Sequence, residues 1–222
     1  MDQDYTHLVS LDASNAFNAI SRSIIADMIR KHIPSLYKCA KWAYQTPADL
    51  VVGEWILESR QGVRQGDPVG PLLFSLGQRP LLETLQAHLG PGRKVVSYLD
   101  DIFIWSTDDK ALCETEAFLK DWTDTLRLNP RKCKSVSLEE VAENGFELLG
   151  TMVGAKPARV AFLRGQVAKQ REKIKALAPL NHQTALLLLR QCVSADLRHL
   201  QRSLRTDGYE GGVGSTGPRP VG

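Results

Sequence analysis

The segment 94–105 places two adjacent carboxylates, Asp100 and Asp101, between two strand-like runs. Residues 94–97 (Lys-Val-Val-Ser) and 102–105 (Ile-Phe-Ile-Trp) are apolar strand candidates, and the polar step between them predicts a β-hairpin. Two acids at a hairpin tip would hold a cation. Because Asp is also an ordinary turn residue, the pair taken alone favours turn chemistry.

A third carboxylate, Asp12, follows the strand-like run His7–Leu11 and precedes a helix-like segment. It is therefore predicted at the C-terminal end of a strand, where α+β enzymes place catalytic groups. A strand paired beside the hairpin would bring all three acids around one site. Oxygen ligands of this kind suit Mg²⁺, and two such ions form a clamp for nucleotidyl transfer. The alternative is that Asp12 caps the following helix.

Residues 61–71, Gln-Gly-Val-Arg-Gln-Gly-Asp-Pro-Val-Gly-Pro, hold three glycines and two prolines and cannot lie inside a regular element. The apolar residues 72–76 predict a buried helix that starts at Pro71. A glycine loop before a helix lets the backbone approach a ligand closely. It is neither a P-loop nor a dinucleotide loop, because the required glycine spacings are missing. The alternative is a tight connection before a core helix.

These three segments resemble the palm motifs of reverse transcriptases, in the same order. The matching residues are Leu-Asp-Ala-Ser-Asn-Ala-Phe-Asn at 11–18, Gly-Val-Arg-Gln-Gly-Asp-Pro-Val-Gly-Pro-Leu-Leu-Phe-Ser-Leu at 62–76 and Tyr-Leu-Asp-Asp at 98–101. Residues 128–133 are similar to the family's lysine-bearing motif, and residues 146–150 to its primer-grip hairpin. The middle motif, together with residues 186–192, most resembles retrotransposons without long terminal repeats. The resemblance covers about residues 5–205.

The resemblance implies catalytic roles for the matching residues. Asp12 and Asp100 would be the main ligands of two Mg²⁺ ions, with Asp101 supporting them and Mn²⁺ as a possible substitute. Lys132 would protonate the pyrophosphate leaving group, although a solvated charge in a basic run is the alternative. Leu149 and Gly150 would belong to the primer grip.

The resemblance also implies a nucleotide pocket. Phe17 would lie under the incoming sugar as a steric gate that leaves no room for a ribose 2′-hydroxyl; a core aromatic at a helix start is the alternative. Gln65 and Gly66 would shape the pocket around the nucleotide and the template base. Arg64 would contact phosphate or template, because a guanidinium is always charged and donates in a fork.

The expected fold is α+β, with a polymerase palm over residues 1–155 and a helical thumb over 156–205. In the palm, an antiparallel sheet carries the acids and helices cover one of its faces. Helices are predicted at 21–33, 36–44, 71–89, 109–126, 160–177 and 183–204, strands at 50–57 as a hairpin, 134–138 and 146–153, and a hinge at 154–159. Residues 206–222, with six glycines and two prolines, are expected to be disordered. The family's fingers region is expected to be absent, so the chain is expected to be part of a longer polyprotein and, by itself, to extend a primer very poorly.

Charge and composition agree with an intracellular, non-secreted nucleic-acid enzyme. Residues 156–205 hold eleven Lys and Arg against two acids, a net +9 within a total of +3, which leaves −6 for the remainder. Such a stretch predicts contact with the phosphate backbone of an RNA template and a DNA primer, with a solvated helix face as the alternative. The four cysteines have no metal-binding or disulfide spacing. Neither a signal peptide nor a membrane span is indicated.

The sequence therefore predicts an RNA-directed DNA polymerase that uses deoxynucleoside triphosphates. Two alternatives stay open. One is a catalytically inert remnant that binds nucleic acid, which binding without metal-dependent extension would reveal. The other is an RNA-dependent RNA polymerase, against which Phe17 argues.

Overall fold

The computed structural model describes residues 4–123 and 125–204 of the 222-residue chain. The chain divides into two compact units, Met1–Leu138 and Glu139–Gly222. The predicted boundary between palm and thumb, at 155/156, lies later in the sequence than this division and stays a prediction. The expected disordered tail, 206–222, lies outside the described residues.

A four-stranded antiparallel sheet and a separate hairpin make up the strands of the first unit. The sheet has the order β4-β5-β1-β6, so that β1 is central, and the hairpin joins β2 and β3. The strands are β1 (His7–Leu11), β2 (Ala48–Val52), β3 (Trp55–Ser59), β4 (Arg93–Tyr98), β5 (Asp101–Ser106) and β6 (Lys134–Ser137). The hairpin predicted at 50–57 is thus present, and most of its apolar side chains are exposed.

Helices cover one face of this sheet. They are α1 (Ala16–Ala19), α2 (Arg22–His32), α3 (Tyr37–Tyr44), α4 (Gly70–Leu89) and α5 (Ala111–Leu119). Because side chains alternate along a strand, Val9 and Leu11 point to the same face as their partners Ile104 and Ile102. These four residues are buried in one cluster with Leu73, Phe74, Leu81 and Leu85 of α4. The expected α+β palm, with helices on one face of an antiparallel sheet, is therefore confirmed.

The second unit is mainly helical. It begins within α6 (Leu138–Asn144), continues through the hairpin β7 (Phe146–Leu148) and β8 (Thr151–Val153), and then has α7 (Lys156–Leu177), α8 (His182–Leu188) and α9 (Ser194–Ser203). Among the described residues, no helix is both long enough and apolar enough to cross a membrane.

Two predicted helix boundaries are wrong, and one further predicted helix is interrupted, each for a local reason. Helix α5 ends at Leu119 rather than at 126, and a 3₁₀ turn and two threonines follow it, since β-branched residues are poor helix formers. The hinge predicted at 154–159 is the start of α7, because Pro157 suits the first turn of a helix. The last predicted helix contains a π-helical turn at 189–193, where the Ser194 hydroxyl donates to the Leu189 carbonyl at 2.9 Å.

Arg93 ties the edge strand β4 to the segment that leads into α5. Its guanidinium donates to both oxygens of Asp108, at 2.9 and 3.0 Å, and to Glu114. The arginine side chain is only 9% exposed, whereas its two acidic partners are partly exposed. Hydrogen bonds from Arg93 are the main cause of the lowered pKa of both carboxyl groups. Arg93 therefore anchors the strand that leads to the Asp100 turn.

Replacing Arg93 with Ala should lower the free energy of unfolding by about 1–3 kcal/mol. The change removes a nearly buried guanidinium and its hydrogen bonds to Asp108 and Glu114, which are themselves partly exposed to water. Arg79→Ala, which breaks an exposed pair with Glu83, is the control and should have a much smaller effect.

Asp108 and Glu114 stabilise the fold above their ordinary pKa values, near 4, and lose that effect as the pH falls through their lowered values. Urea unfolding should show the Arg93→Ala deficit in full at pH 7 and a smaller deficit below about pH 3. An equal deficit at both pH values would contradict this account.

Candidate active site

Strand pairing places Asp12 opposite Asp101. In the antiparallel pair β1–β5, Leu11 faces Ile102, so the next residue along the same register, Asp12, faces Asp101. Directly opposed residues of such a pair lie on the same face, with Cβ atoms about 5 Å apart. Since Leu11 and Ile102 point into the core, the two acids lie on the opposite face of the sheet. The structure thus brings together two acids that are far apart in the sequence.

Asp100 lies in the tight turn between β4 and β5. Tyr98 pairs with Asp101, which leaves Leu99 and Asp100 as the turn residues. Leu99 has a φ of 56°, a left-handed conformation that costs a non-glycine residue roughly 1 kcal/mol. Strain of this kind is found where a turn must hold a functional side chain. Asp100 and Asp101 are both exposed.

The helix-cap alternative for Asp12 is wrong, because the residue that caps α1 is Asn15. Asp12 instead takes part in a contact between β1 and the loop that precedes β6. The Asp12 carbonyl accepts the Asn129 N–H at 2.8 Å. A tight turn from Asn129 to Lys132 then places Lys132 Nζ 3.5 Å from Asp12 Oδ2. Lys132 is 65% exposed, so its ammonium group can also reach an anion in solution.

Asp101 lies within the electrostatic influence of the other two acids. The pKa of Asp101 is raised, first by partial desolvation and then by the negative charges of Asp100 and Asp12. Repulsion by these like charges disfavours ionisation of Asp101. A cation held among these acids would relieve the repulsion.

Their chemistry fits a magnesium-type ion, although no ready-made cage is present. Within 4–123 and 125–204, no three His, Cys, Asp or Glu side chains converge closely enough to hold a metal ion. Magnesium ordinarily needs only one or two protein carboxylates, and water and substrate phosphates supply its other ligands. The donor set and its mutual repulsion therefore fit ions that bind together with the substrate.

The four residues predicted to surround the nucleotide line one cavity. Phe17, Arg64, Gln65 and Gly66 border a space of about 400 Å³, together with Asp67, Pro68 and Pro71. The Phe17 ring also stacks on the buried Phe74 ring, with centroids 4.3 Å apart and an angle of 7° between the planes. Phe17 is thus both a core contact and a wall of the cavity, so its two sequence interpretations do not exclude each other.

The glycine loop is joined directly to α1. The Gly62 N–H donates to the Ile20 carbonyl at 2.9 Å, and the Val63 N–H donates to the Phe17 carbonyl at 2.8 Å. Gly62 has a φ of 74°, and a Cβ atom there would lie 2.5 Å from the backbone of Asn18. Only glycine allows this approach, which brings the loop beside Phe17.

Sequence reasoning missed Arg22 and Tyr44, which contact the glycine loop from α2 and α3, and it gave no role to Asp67. Arg22 donates to the carbonyls of Ser59, Gln61 and Gly62. The Tyr44 hydroxyl donates to Asp67. These contacts join residues 23 to 40 positions apart and leave no local signal in the sequence.

The predicted primer-grip residues form the turn between β7 and β8 in the second unit. Leu149 and Gly150 have φ values of 49° and 73°, as a two-residue hairpin turn requires. His199 of α9 donates from Nε2 to the Leu149 carbonyl at 2.9 Å. No sequence pattern indicates His199, whose hydrogen bond holds the turn in place.

Comparison with known proteins identifies the family. The family described as "Reverse transcriptase (RNA-dependent DNA polymerase)" matches residues 1–174. The chain belongs to this family.

Relatives and solved structures agree with this assignment. The chain is 31% identical over 148 residues to a Pol polyprotein of the retrotransposable element R2 from Nasonia vitripennis, and 31% identical over 150 residues to the 132 kDa protein of the retrotransposable element SLACS from Trypanosoma brucei gambiense. These matches cover 60% and 63% of the chain but only 14% and 12% of the relatives. The predicted likeness to retrotransposons without long terminal repeats is confirmed. A telomerase structure from Candida tropicalis shares the fold, with a TM-score of 0.52 and 10% identity over 67% of this chain and 34% of that one.

Gly62→Ala should destabilise the first unit by more than about 2 kcal/mol, because it adds a steric overlap to the strain of a positive φ. Gly53→Ala is the matched control: its φ is 62°, but its added Cβ would meet nothing within 4 Å. The control should cost only about 1 kcal/mol. Chemical denaturation of both variants gives the comparison, and equal losses would show that the contact with Asn18 is unimportant.

Proposed function

We propose that this chain is the catalytic part of a retroelement RNA-directed DNA polymerase and performs template-directed nucleotidyl transfer. The observation that carries the proposal is the register that sets Asp12 opposite Asp101, beside the turn that carries Asp100, in a member of the reverse transcriptase family. In the proposed reaction, the 3′-hydroxyl of a DNA primer attacks the α-phosphate of a deoxynucleoside triphosphate. Pyrophosphate leaves.

Asp12 and Asp100 would hold two divalent ions, Mg²⁺ or Mn²⁺, with Asp101 in support. Such ions stabilise negative charge on the attacking and leaving oxygens. The protein's own part is to keep Asp12 and Asp101 near each other through the register of β1 and β5, and to hold Asp100 in the adjoining turn. The strained turn at Leu99 supports this role, since it fixes the position of Asp100.

Lys132 is proposed as the general acid. Its ammonium group lies beside Asp12 and remains largely exposed, so it can transfer a proton from Nζ to a pyrophosphate oxygen. The contact with Asp12 would keep the lysine ammonium close to the reaction. The backbone bond from Asn129 to Asp12 holds the lysine-bearing turn at this distance.

The cavity beside α1 is the proposed nucleotide pocket. Phe17 would exclude a 2′-hydroxyl, and its stacking on Phe74 supports this role because a ring supported from below cannot easily move aside. Gln65 and Gly66 would contact the nucleotide and the template base. Arg64 would contact phosphate or template with its guanidinium group.

The partners proposed are an RNA template, a DNA primer and the rest of a retroelement polyprotein, acting inside the cell. Exposed basic residues of the second unit support a phosphate contact; they include Lys156, Arg164, Lys169, Arg171, Arg190, Arg198 and Arg202. Affinity for primer–template should fall steeply as salt rises, because phosphate contacts release counterions. The Leu149–Gly150 turn would hold the primer end.

Primer extension on an RNA template tests the function and the site together. With Mg²⁺ present, the wild-type chain should extend a primer slowly, and Asp100→Asn should lower this rate by at least about 100-fold because a ligand for charge stabilisation is lost. Asp109→Asn removes an exposed acid outside the site and serves as the control, with an unchanged rate. Duplex binding, measured in parallel by fluorescence anisotropy, should be the same in all three proteins.

Each outcome has a distinct meaning. If Asp100→Asn keeps a tenth of the wild-type rate, the site assignment is wrong. If the wild-type chain binds primer–template but extends it with neither Mg²⁺ nor Mn²⁺, the chain is an inert nucleic-acid-binding remnant and the polymerase proposal fails.

Phe17→Ala should raise the incorporation of ribonucleotides relative to deoxyribonucleotides by about tenfold or more, because removal of the ring opens space for a 2′-hydroxyl. Phe118→Ala is the control, since that ring contacts His88 and Trp122 rather than the cavity. The measurement is single-nucleotide incorporation with matched deoxy and ribo substrates. An unchanged ratio in Phe17→Ala would leave Phe17 with a core role alone.

A further inference from the structure

Tyr44, the last residue of α3, closes the glycine loop from outside. Its hydroxyl accepts the Arg64 N–H at 3.2 Å and donates to Asp67 Oδ2. The other oxygen of Asp67 accepts the Val69 N–H at 2.9 Å. One phenol group therefore connects both ends of the segment 64–67, and that segment borders the proposed nucleotide pocket.

The Tyr44 ring lies close to two guanidinium groups. The Arg22 and Arg64 guanidinium carbons lie 5.3 and 5.2 Å from the ring centroid. Each cation is attracted to the ring, whereas the two cations repel each other. Desolvation and then the charge of Arg64 lower the pKa of Arg22. The ring thus holds Arg64 near a like charge and orients its side chain.

Arg22 fixes the chain that enters the loop. Its guanidinium makes four hydrogen bonds, to the Ser59, Gln61 and Gly62 carbonyls and to the Ser59 hydroxyl, at 2.9 to 3.1 Å. All four acceptors are uncharged groups, so these bonds are not ion pairs. They hold the backbone of residues 59–62 in position. Arg22 and Tyr44 hold the loop before and after Gly62, respectively.

The residues at the tip of the loop have little burial to hold them. Arg64, Gln65 and Gly66 are exposed, whereas Gly62 and Val63 before them are buried. Order at the tip therefore depends on hydrogen bonds, namely the Asp67 N–H to the Arg64 carbonyl at 3.3 Å and the contacts of Tyr44 with Arg64 and Asp67. A loop that is ordered before binding loses less entropy when a ligand arrives. A flexible tip would weaken binding.

We infer that Tyr44 is a positioning residue that orders the loop 64–67 for nucleotide binding, with Arg22 as its support. This inference rests on the proposed polymerase function. Tyr44 acts through Arg64 and Asp67, so its loss should weaken substrate binding more than it slows the chemical step.

Tyr44→Phe tests the role of the hydroxyl, and the chain offers a matched control. Tyr37, also in α3, lies under the Arg30 guanidinium at 4.6 Å, and its hydroxyl accepts an Arg30 N–H at 2.7 Å, away from the loop. Tyr44→Phe should raise the KM for deoxynucleotide about five- to tenfold and change kcat less than twofold, because the change removes only the hydrogen bonds of the Tyr44 hydroxyl to Arg64 and Asp67. Tyr37→Phe should leave both constants unchanged.

Hydrogen exchange of the amides in 62–67 provides a readout that does not depend on catalysis. Tyr44→Phe should speed exchange several-fold in this segment and not in α4, and Tyr37→Phe should not. Unchanged exchange in Tyr44→Phe would overturn the inference whether or not the chain extends primers. Faster exchange with an unchanged KM would also overturn it, because the order of the loop would then not matter for binding. Absence of extension by the wild-type chain would count against the polymerase function alone.

A double variant tests whether Tyr44 acts through Asp67. If it does, Tyr44→Phe combined with Asp67→Ala should raise exchange in 62–67 by less than the sum of the two single effects, because both changes remove the same Tyr44–Asp67 bond. Additive effects would overturn the proposed connection.

Discussion

The pairing register of β1 with β5 is the constraint on which the rest of the site depends. A slip of β1 by one residue would turn Val9 and Leu11 away from the core that they share with Ile102 of β5. Burial of these side chains therefore opposes such a slip. The same register determines the position of the acids. Asp12 and Asp101 continue it by one residue and therefore point away from the core. The packing of the hydrophobic core thus determines where Asp12 and Asp101 lie, although neither residue belongs to the core.

Two features of the proposed site lower the local stability of the fold. The carboxylates repel one another, which contributes to the raised pKa of Asp101, and Leu99 adopts a left-handed conformation without being glycine. Neither feature stabilises the fold, and both occur where the proposed chemistry needs concentrated negative charge. The strain is tolerated because the neighbouring strand residues Ile102 and Ile104 are fully buried and because Arg93 anchors the start of β4. Stable contacts thus flank the strained turn on both strands.

Local sequence patterns predicted those elements whose causes are local. Continuous apolar runs on either side of Gly53 predicted the β2–β3 hairpin, and Pro71 followed by apolar residues predicted α4. The approach of Asp12 to the Asp100 turn was expected from strand ends together with the family resemblance. The sequence did not predict α6, whose first residue donates its N–H to the distant Thr6 carbonyl. It also did not predict the contacts of Tyr44, because a bond between an exposed loop and a helix 23 residues away has no periodic signal.

Helix α4 connects the proposed pocket to the core. It begins just after the glycine loop, and its residue Phe74 supports the Phe17 ring while being almost completely buried. Phe17 in turn accepts the Val63 N–H through its carbonyl and lies on the short helix that follows β1. The loop, the aromatic wall and the strand leading to Asp12 are therefore held by one continuous set of packed and hydrogen-bonded groups. A substitution that shifts Phe74 would move Phe17 and the glycine loop together, so changes deep in the core can alter the shape of the proposed nucleotide pocket without lying in it.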